Sequence, residues 1–158
     1  MRSRLYAALL LGLLVFSGCG LPNRNIADRL NTNDVVGVWT ATSETLRLAQ
    51  QKHGLPADVP LTITLRPDGT TDFRVIDCAG KLVEEKGTWT LEHNVNWGNV
   101  PVQNLLRIKA PQTEIQYGFA RESGALRIWE FLGDPDAWEL IEFTRTAAFV
   151  PLGAEKKP

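Results

Sequence analysis

Short segments in which apolar and polar residues alternate recur along this chain, each closed by Gly, Pro, Asn or Asp, and that recurrence governs what it can become. Leu61, Ile63 and Leu65 alternate with Thr62, Thr64 and Arg66, and Ile115, Tyr117 and Phe119 with Gln116 and Gly118. A period of two sends successive side chains to opposite faces, so these are strands with one buried and one wet face. The pattern predicts eight strands: Val35–Thr42, Pro60–Arg66, Thr70–Ile76, Glu84–Glu92, Gln103–Ala110, Thr113–Arg121, Ala125–Leu132 and Trp138–Thr146. Arg66-Pro67-Asp68-Gly69-Thr70, Glu122-Ser123-Gly124 and Gly133-Asp134-Pro135-Asp136 supply tight turns, and consecutive hairpins force antiparallel neighbours. Only the first connection is long. Within it Ser43–Gly54 carries an N-cap candidate, good helix formers and a terminal Gly, which predicts a three-turn helix. The expected fold is all-β: an eight-stranded antiparallel up-and-down meander rolled into a small barrel or half-barrel, with one helix between strands one and two. Rolling up removes the sheet edges.

The N-terminus is of another kind. Arg2 and Arg4 precede an apolar run from Leu5 to Phe16, 12 residues, well short of the roughly 20 a membrane-spanning helix needs. It therefore reads as the core of a signal peptide. The following Phe16-Ser17-Gly18-Cys19 resembles a bacterial lipobox, with Phe16 where that motif usually has Leu. The other reading, an ordinary secretory signal that happens to contain a Cys, meets no A-x-A site. The resemblance implies that Cys19 becomes the lipidated first residue of the mature chain. Two or three acyl chains then hold it at the membrane, where a single chain would anchor only marginally. Gly20 in the second mature position implies the outer membrane where the cell has two. The expected layout is a signal peptide at 1–18, a tether at 19–33, the β domain at 34–147 and a disordered tail at 148–158.

With Cys19 lipidated, Cys78 has no partner for a disulfide, and the core must supply stability. Material is ample: 44% of residues are hydrophobic and five are Trp. Seventeen Lys and Arg face eighteen Asp and Glu, without a basic stripe, so nucleic acid is not an expected partner.

Gly37-Val38-Trp39 resembles the G-x-W signature of lipocalins. Together with the lipobox, Pro67-Asp68-Gly69-Thr70 and Gly133-Asp134-Pro135-Asp136, it makes the chain similar to small bacterial lipoproteins with a lipocalin-like domain and no assigned activity. The resemblance implies that Trp39 plugs the closed end of the barrel, that Arg145 in the last strand packs over it, and that Ser43–Pro60 forms a lid. The second lipocalin signature, before the seventh strand, is replaced by Arg121-Glu122-Ser123-Gly124, and the final helix of that family is missing.

Candidate chemistry is sparse. Cys78 would need a cationic neighbour to become a nucleophile, and His53 and His93 are both distant in sequence. Asp134 and Asp136 offer two carboxylates, whereas a calcium loop needs six or more oxygens; a self-capped turn explains them as well. Glu84, Glu85, Glu130, Glu139 and Glu142 could in principle supply a hydrolytic pair, but charges on a wet sheet face explain them too. No metal, cofactor or catalytic residue is expected, and an enzyme is not. Aromatics are the enriched resource. Trp89, Tyr117, Phe119 and Trp129 are the candidates for lining an apolar ligand pocket, and Trp97, in the expected loop Asn94–Pro101, for an exposed contact. In the last two predicted strands both parities are apolar, which implies burial on both faces. Two functions follow as expectations: a lipid-anchored, non-enzymatic barrel that binds a small apolar ligand, or an envelope interaction protein with a filled barrel that docks a protein partner.

Overall fold

Tight turns build this chain. Ser123 and Gly124 both hold positive φ (50° and 82°), the backbone of a type I′ hairpin, and Gly98 (φ 59°) opens the two-residue turn Gly98-Asn99 in the manner of type II′. At Arg66–Thr70 the Asp68 carboxylate accepts from the Thr70 amide (2.9 Å) and hydroxyl (2.7 Å), fixing the turn that Pro67 and Gly69 begin. The computed structural model describes residues 26–132 and 139–147; Cys19, Asp134, Asp136, Trp138 and the segment 148–158 lie outside them.

A single helical turn, α1 (Thr32–Val35), precedes β1 (Gly37–Ala41) and α2 (Ser43–His53). Then come β2 (Thr62–Leu65), β3 (Thr70–Ile76), β4 (Leu82–Trp97), β5 (Val100–Lys109), β6 (Glu114–Glu122), β7 (Ala125–Phe131) and β8 (Leu140–Ala147). The eight strands form a closed barrel in sequence order, every pair antiparallel, with β8 returning to β1. The meander and its single inserted helix are as the sequence predicts. Most strand ends shift by one or two residues, with Val35 in α1 rather than in the first strand, and β4 and β5 shift most. The expected loop Asn94–Pro101 is instead the end of a long hairpin: Val95 pairs with Val102 and Trp97 with Val100, because Asn94 accepts a positive φ of 51° and the ladder continues past it.

Alternation along the strands sorts the side chains. Trp39, Ile63, Leu65, Phe73, Val75, Leu106, Ile108, Tyr117, Phe119, Ile128, Ile141 and Phe143 belong to one buried cluster inside the barrel. Val102, Leu105, Ala120 and Trp129 are also buried but lie apart from it. Gly118 and Trp129 pair on the outer face, and Trp97 curls back over them: its ring sits 5.1 Å from that of Trp129, and a Cβ on Gly118 would come within 2.7 Å of Trp97 Cζ3. Trp97 is therefore half-buried rather than an exposed contact, and the apolar outer parity of β7 is covered by the chain's own hairpin.

Candidate functional site

Both ends of the barrel are stoppered. At one, Trp39 is fully buried and its indole N–H donates to the Val35 carbonyl at 2.8 Å. Arg145 stands opposite Trp39 in the β1–β8 register and donates to the Asp34 carbonyl at 2.9 Å. At the same end Trp89 donates to the Arg66 carbonyl (2.9 Å), and the Asn104 amide ties in the incoming chain through Leu30 N (2.9 Å) and Asp28 O (2.8 Å).

The other end is roofed by α2. Thr42, not Ser43, is its N-cap, accepting from Thr45 N, and Gly54 ends it in the left-handed conformation. Thr45 is buried and its hydroxyl bonds both the amide (2.8 Å) and the carbonyl (3.2 Å) of Glu142. Lys52 pairs with Glu139, and His53 lies against Gly80, where a Cβ would meet the ring at 1.9 Å. The helix thus spans from β8 to the β3–β4 turn, with Ala49 and Leu55 packed into the core beneath.

Among the expected pocket residues, Trp89, Tyr117 and Phe119 belong to the interior cluster and Trp129 does not; Trp129 packs outside against Trp97 and Phe131. The structure therefore brings three of the four together. Tyr117 and Phe119 are fully buried, and the Tyr117 ring meets Phe143 edge-on at 5.8 Å.

Glu130 departs from the wet-face expectation. It pairs with Ile141 between Ile128 and Leu132, the parity of the core, and its Oε2 is sealed from solvent with no hydrogen-bond partner. Burial, and secondarily the charge of Asp77, pushes its carboxyl up to about 8, because desolvation penalises the ionised form. One rung beyond the last β6–β7 pair, Gly118 with Trp129, the same register sets Tyr117 beside Glu130. The Tyr117 hydroxyl also has no partner, and burial followed by the Glu130 charge drives its ionisation well upward. A carboxylate between two core positions at i−2 and i+2 is the signal that exposes Glu130 in the sequence.

The remaining carboxylates are occupied elsewhere. Glu84 bonds Arg74 (2.8 Å), Glu85 accepts from Thr113 Oγ1 (2.7 Å), and Glu142 bonds Arg127 (3.2 Å) on the face opposite Glu130. Arg107, between Glu92 and Glu114, lowers both carboxyls, and its own ionisation rises in return. No hydrolytic pair is assembled among the described residues, nor any cluster of metal-ligating side chains. Cys78 is exposed in the β3–β4 turn. No family model, curated protein or solved structure matches the chain.

Two open grooves flank the upper half of β4. One, of about 760 Å³, lies across β2, β3 and β4 on the outer face and includes Thr62, Asp72, Arg74 and Lys86. The other, of about 580 Å³, separates β4 from the β5–β6 turn and is lined by Leu82–Lys86 and Pro111–Thr113. Neither includes Trp89, Tyr117, Phe119 or Trp129. No helix among the described residues is long and apolar enough to cross a membrane.

Proposed function

We propose that this chain is a lipid-anchored, non-enzymatic protein of the bacterial cell envelope that docks a protein partner on the outside of a filled barrel. The observation that carries this is the packing of the interior. An interior of eight strands is just wide enough for side chains to fill or for one small ligand, and here Trp39, Tyr117, Phe119 and Phe143 are each fully buried in it. With α2 and α1 over the ends, the grooves beside β4 are accessible features among the described residues. Lipidation at Cys19 would hold that surface at the membrane, where partners are confined with it.

The purified chain, titrated with fatty acids and phospholipids, should keep its Trp fluorescence unchanged and carry no ligand in native mass spectra. A saturable change at fixed stoichiometry overturns the filled barrel. Replacing Cys19 with Ser should release the protein from membranes, and retention of that variant overturns the anchor.

A second reading, in which the barrel holds a small guest beneath α2, is favoured by the unpartnered Tyr117 hydroxyl and Glu130 Oε2. Buried polar groups are almost always hydrogen-bonded, so a guest or water bearing a donor and an acceptor would satisfy both. Native mass spectra of the chain purified without detergent separate the two readings.

A further inference from the structure

The barrel is closed, yet part of one strand has a neighbour on one side only. Trp89 N donates to Gly69 O at 2.8 Å, which sets the phase of the β3–β4 ladder. Odd-numbered residues of upper β4 exchange bonds with β3, and Leu82, Glu84 and Lys86 turn their N–H and C=O groups the other way. β5 does not meet them. Its pairing with β4 begins at Thr88 with Lys109, because the chain turns back through Pro111, with Ala110 N donating to Thr113 O at 2.8 Å. Gly87 closes the lower end of the resulting slot: a Cβ there would stand 2.1 Å from Lys109 O.

From this geometry we infer that the upper edge of β4 accepts an extended segment of a partner polypeptide as an added strand. Unpaired backbone donors and acceptors in register are a template for a strand, and they identify the chemistry of the occupant as another main chain. The Pro111–Thr113 turn selects a single strand over a second barrel. It walls the slot, and a second copy would bring the same wall to the same edge. Side chains add direction. Leu82 is one of two large apolar residues that are exposed among those described, at 40%. The side chain of Lys86 is 87% exposed, and its Asp72 partner is 4.0 Å away. The segment that fits therefore carries an acidic residue opposite Lys86 and an apolar one four positions away, opposite Leu82. Glu85 crosses the slot on the inner side to Thr113 Oγ1 and Gln112 N, a latch that an entering strand must displace.

This inference rests on the outer-surface reading, but its test is independent of amphiphile binding. The probe is the octapeptide Thr-Thr-Glu-Thr-Val-Thr-Leu-Thr, which matches Glu to Lys86 and Leu to Leu82 when it runs antiparallel to β4, added to the full chain at millimolar concentration, with hydrogen exchange read at individual amides. Without peptide, the amides of Leu82, Glu84 and Lys86 should exchange freely and those of Val83 and Glu85 slowly. Peptide should protect the first three. Methylating alternate peptide amides should weaken binding by about tenfold or more, a control that leaves the protein intact. Glu84→Pro, which removes a rung but no β3 bond, should abolish the protection, whereas Glu85→Ala should tighten binding. Absence of protection overturns the inference whatever amphiphiles do. Protection of the three amides in the peptide-free chain, together with dimers in sedimentation, overturns it in favour of a second copy.

Discussion

Replacing Glu130 with Gln should stabilise the protein, by an amount that grows with pH. The side chain sits between Ile128 and Leu132 with Oε2 sealed and unpartnered, and its carboxyl is raised from 4.5 to about 8 on folding. Through that window the folded chain keeps a proton that the unfolded chain releases, so stability falls as pH rises. Each unit of pKa difference corresponds to about 1.4 kcal/mol. Below pH 4.5 the group costs nothing by this route; at pH 7 it costs about 3 kcal/mol, and above pH 8 about 5 kcal/mol. Partial exposure and water penetration bring the realised figures nearer half of these, still several degrees in Tm for a domain of this size. Gln has almost the same shape and no titration, so the variant and the parent should agree near pH 4 and diverge steadily to pH 8. Groups that titrate alike in both, such as Glu92 and Glu114 beside Arg107, cancel in the difference. Urea denaturation followed by Trp fluorescence at about five pH values between 4 and 9 gives the curve. Parallel curves refute the reasoning, because they mean the carboxylate is solvated or paired when charged. A variant less stable than the parent at pH 7 refutes it more sharply.

Tyr117→Phe removes a buried hydroxyl without a partner, and urea melts should show it neutral or stabilising by up to about 1 kcal/mol; a clear loss would reveal a bound water or guest. Gly87→Ala drives a Cβ into the Lys109 carbonyl, main chain that cannot yield cheaply, and should cost about 2 kcal/mol or more by calorimetry. Thr45→Val breaks the hydroxyl's two bonds to the Glu142 backbone and should cost about 1–2 kcal/mol, with faster amide exchange throughout α2 showing that the roof has loosened.

Much of the fold is legible because its determinants are local. Alternation marks the strands, and Pro67-Asp68-Gly69 and Ser123-Gly124 mark hairpins through φ preferences that belong to those residues. The long hairpin is less legible, since Asn94 and Gly98 look like a loop until Val95 is set opposite Val102. Faces are harder still. Trp129 and Phe119 are equally aromatic, and only the register Gly118 with Trp129 and Phe119 with Ile128 shows that one faces out and the other in. Trp97 needed a third strand to be placed, because the Gly118 that receives it is 21 positions away. Glu130 was readable from its parity, but charge dominates first impressions of a Glu, and the cost of burying it appears only when the neighbouring strands close around it.

Closure of the barrel and the free edge of β4 have a common cause. A closed sheet has no edge only where every strand is paired along its full length. β4 is longer than β3 and reaches past the end of β5 at its upper end and beyond β3 at its lower end. Its lower half bends outward with the hairpin that carries Trp97 to the outer face. Its upper half is left beside the Pro111 turn with three rungs unspent. Pro111, opposite Lys86 in the continued β4–β5 register, therefore sets where the free edge begins. Replacing it with a residue able to donate would let β5 continue one rung further and shorten the strand-addition site while leaving the core untouched. Protection of the Lys86 amide in such a variant, accompanied by weaker peptide binding, is the expected result, because the β4–β5 register sets residue 111 opposite Lys86. Undiminished binding would place the site elsewhere.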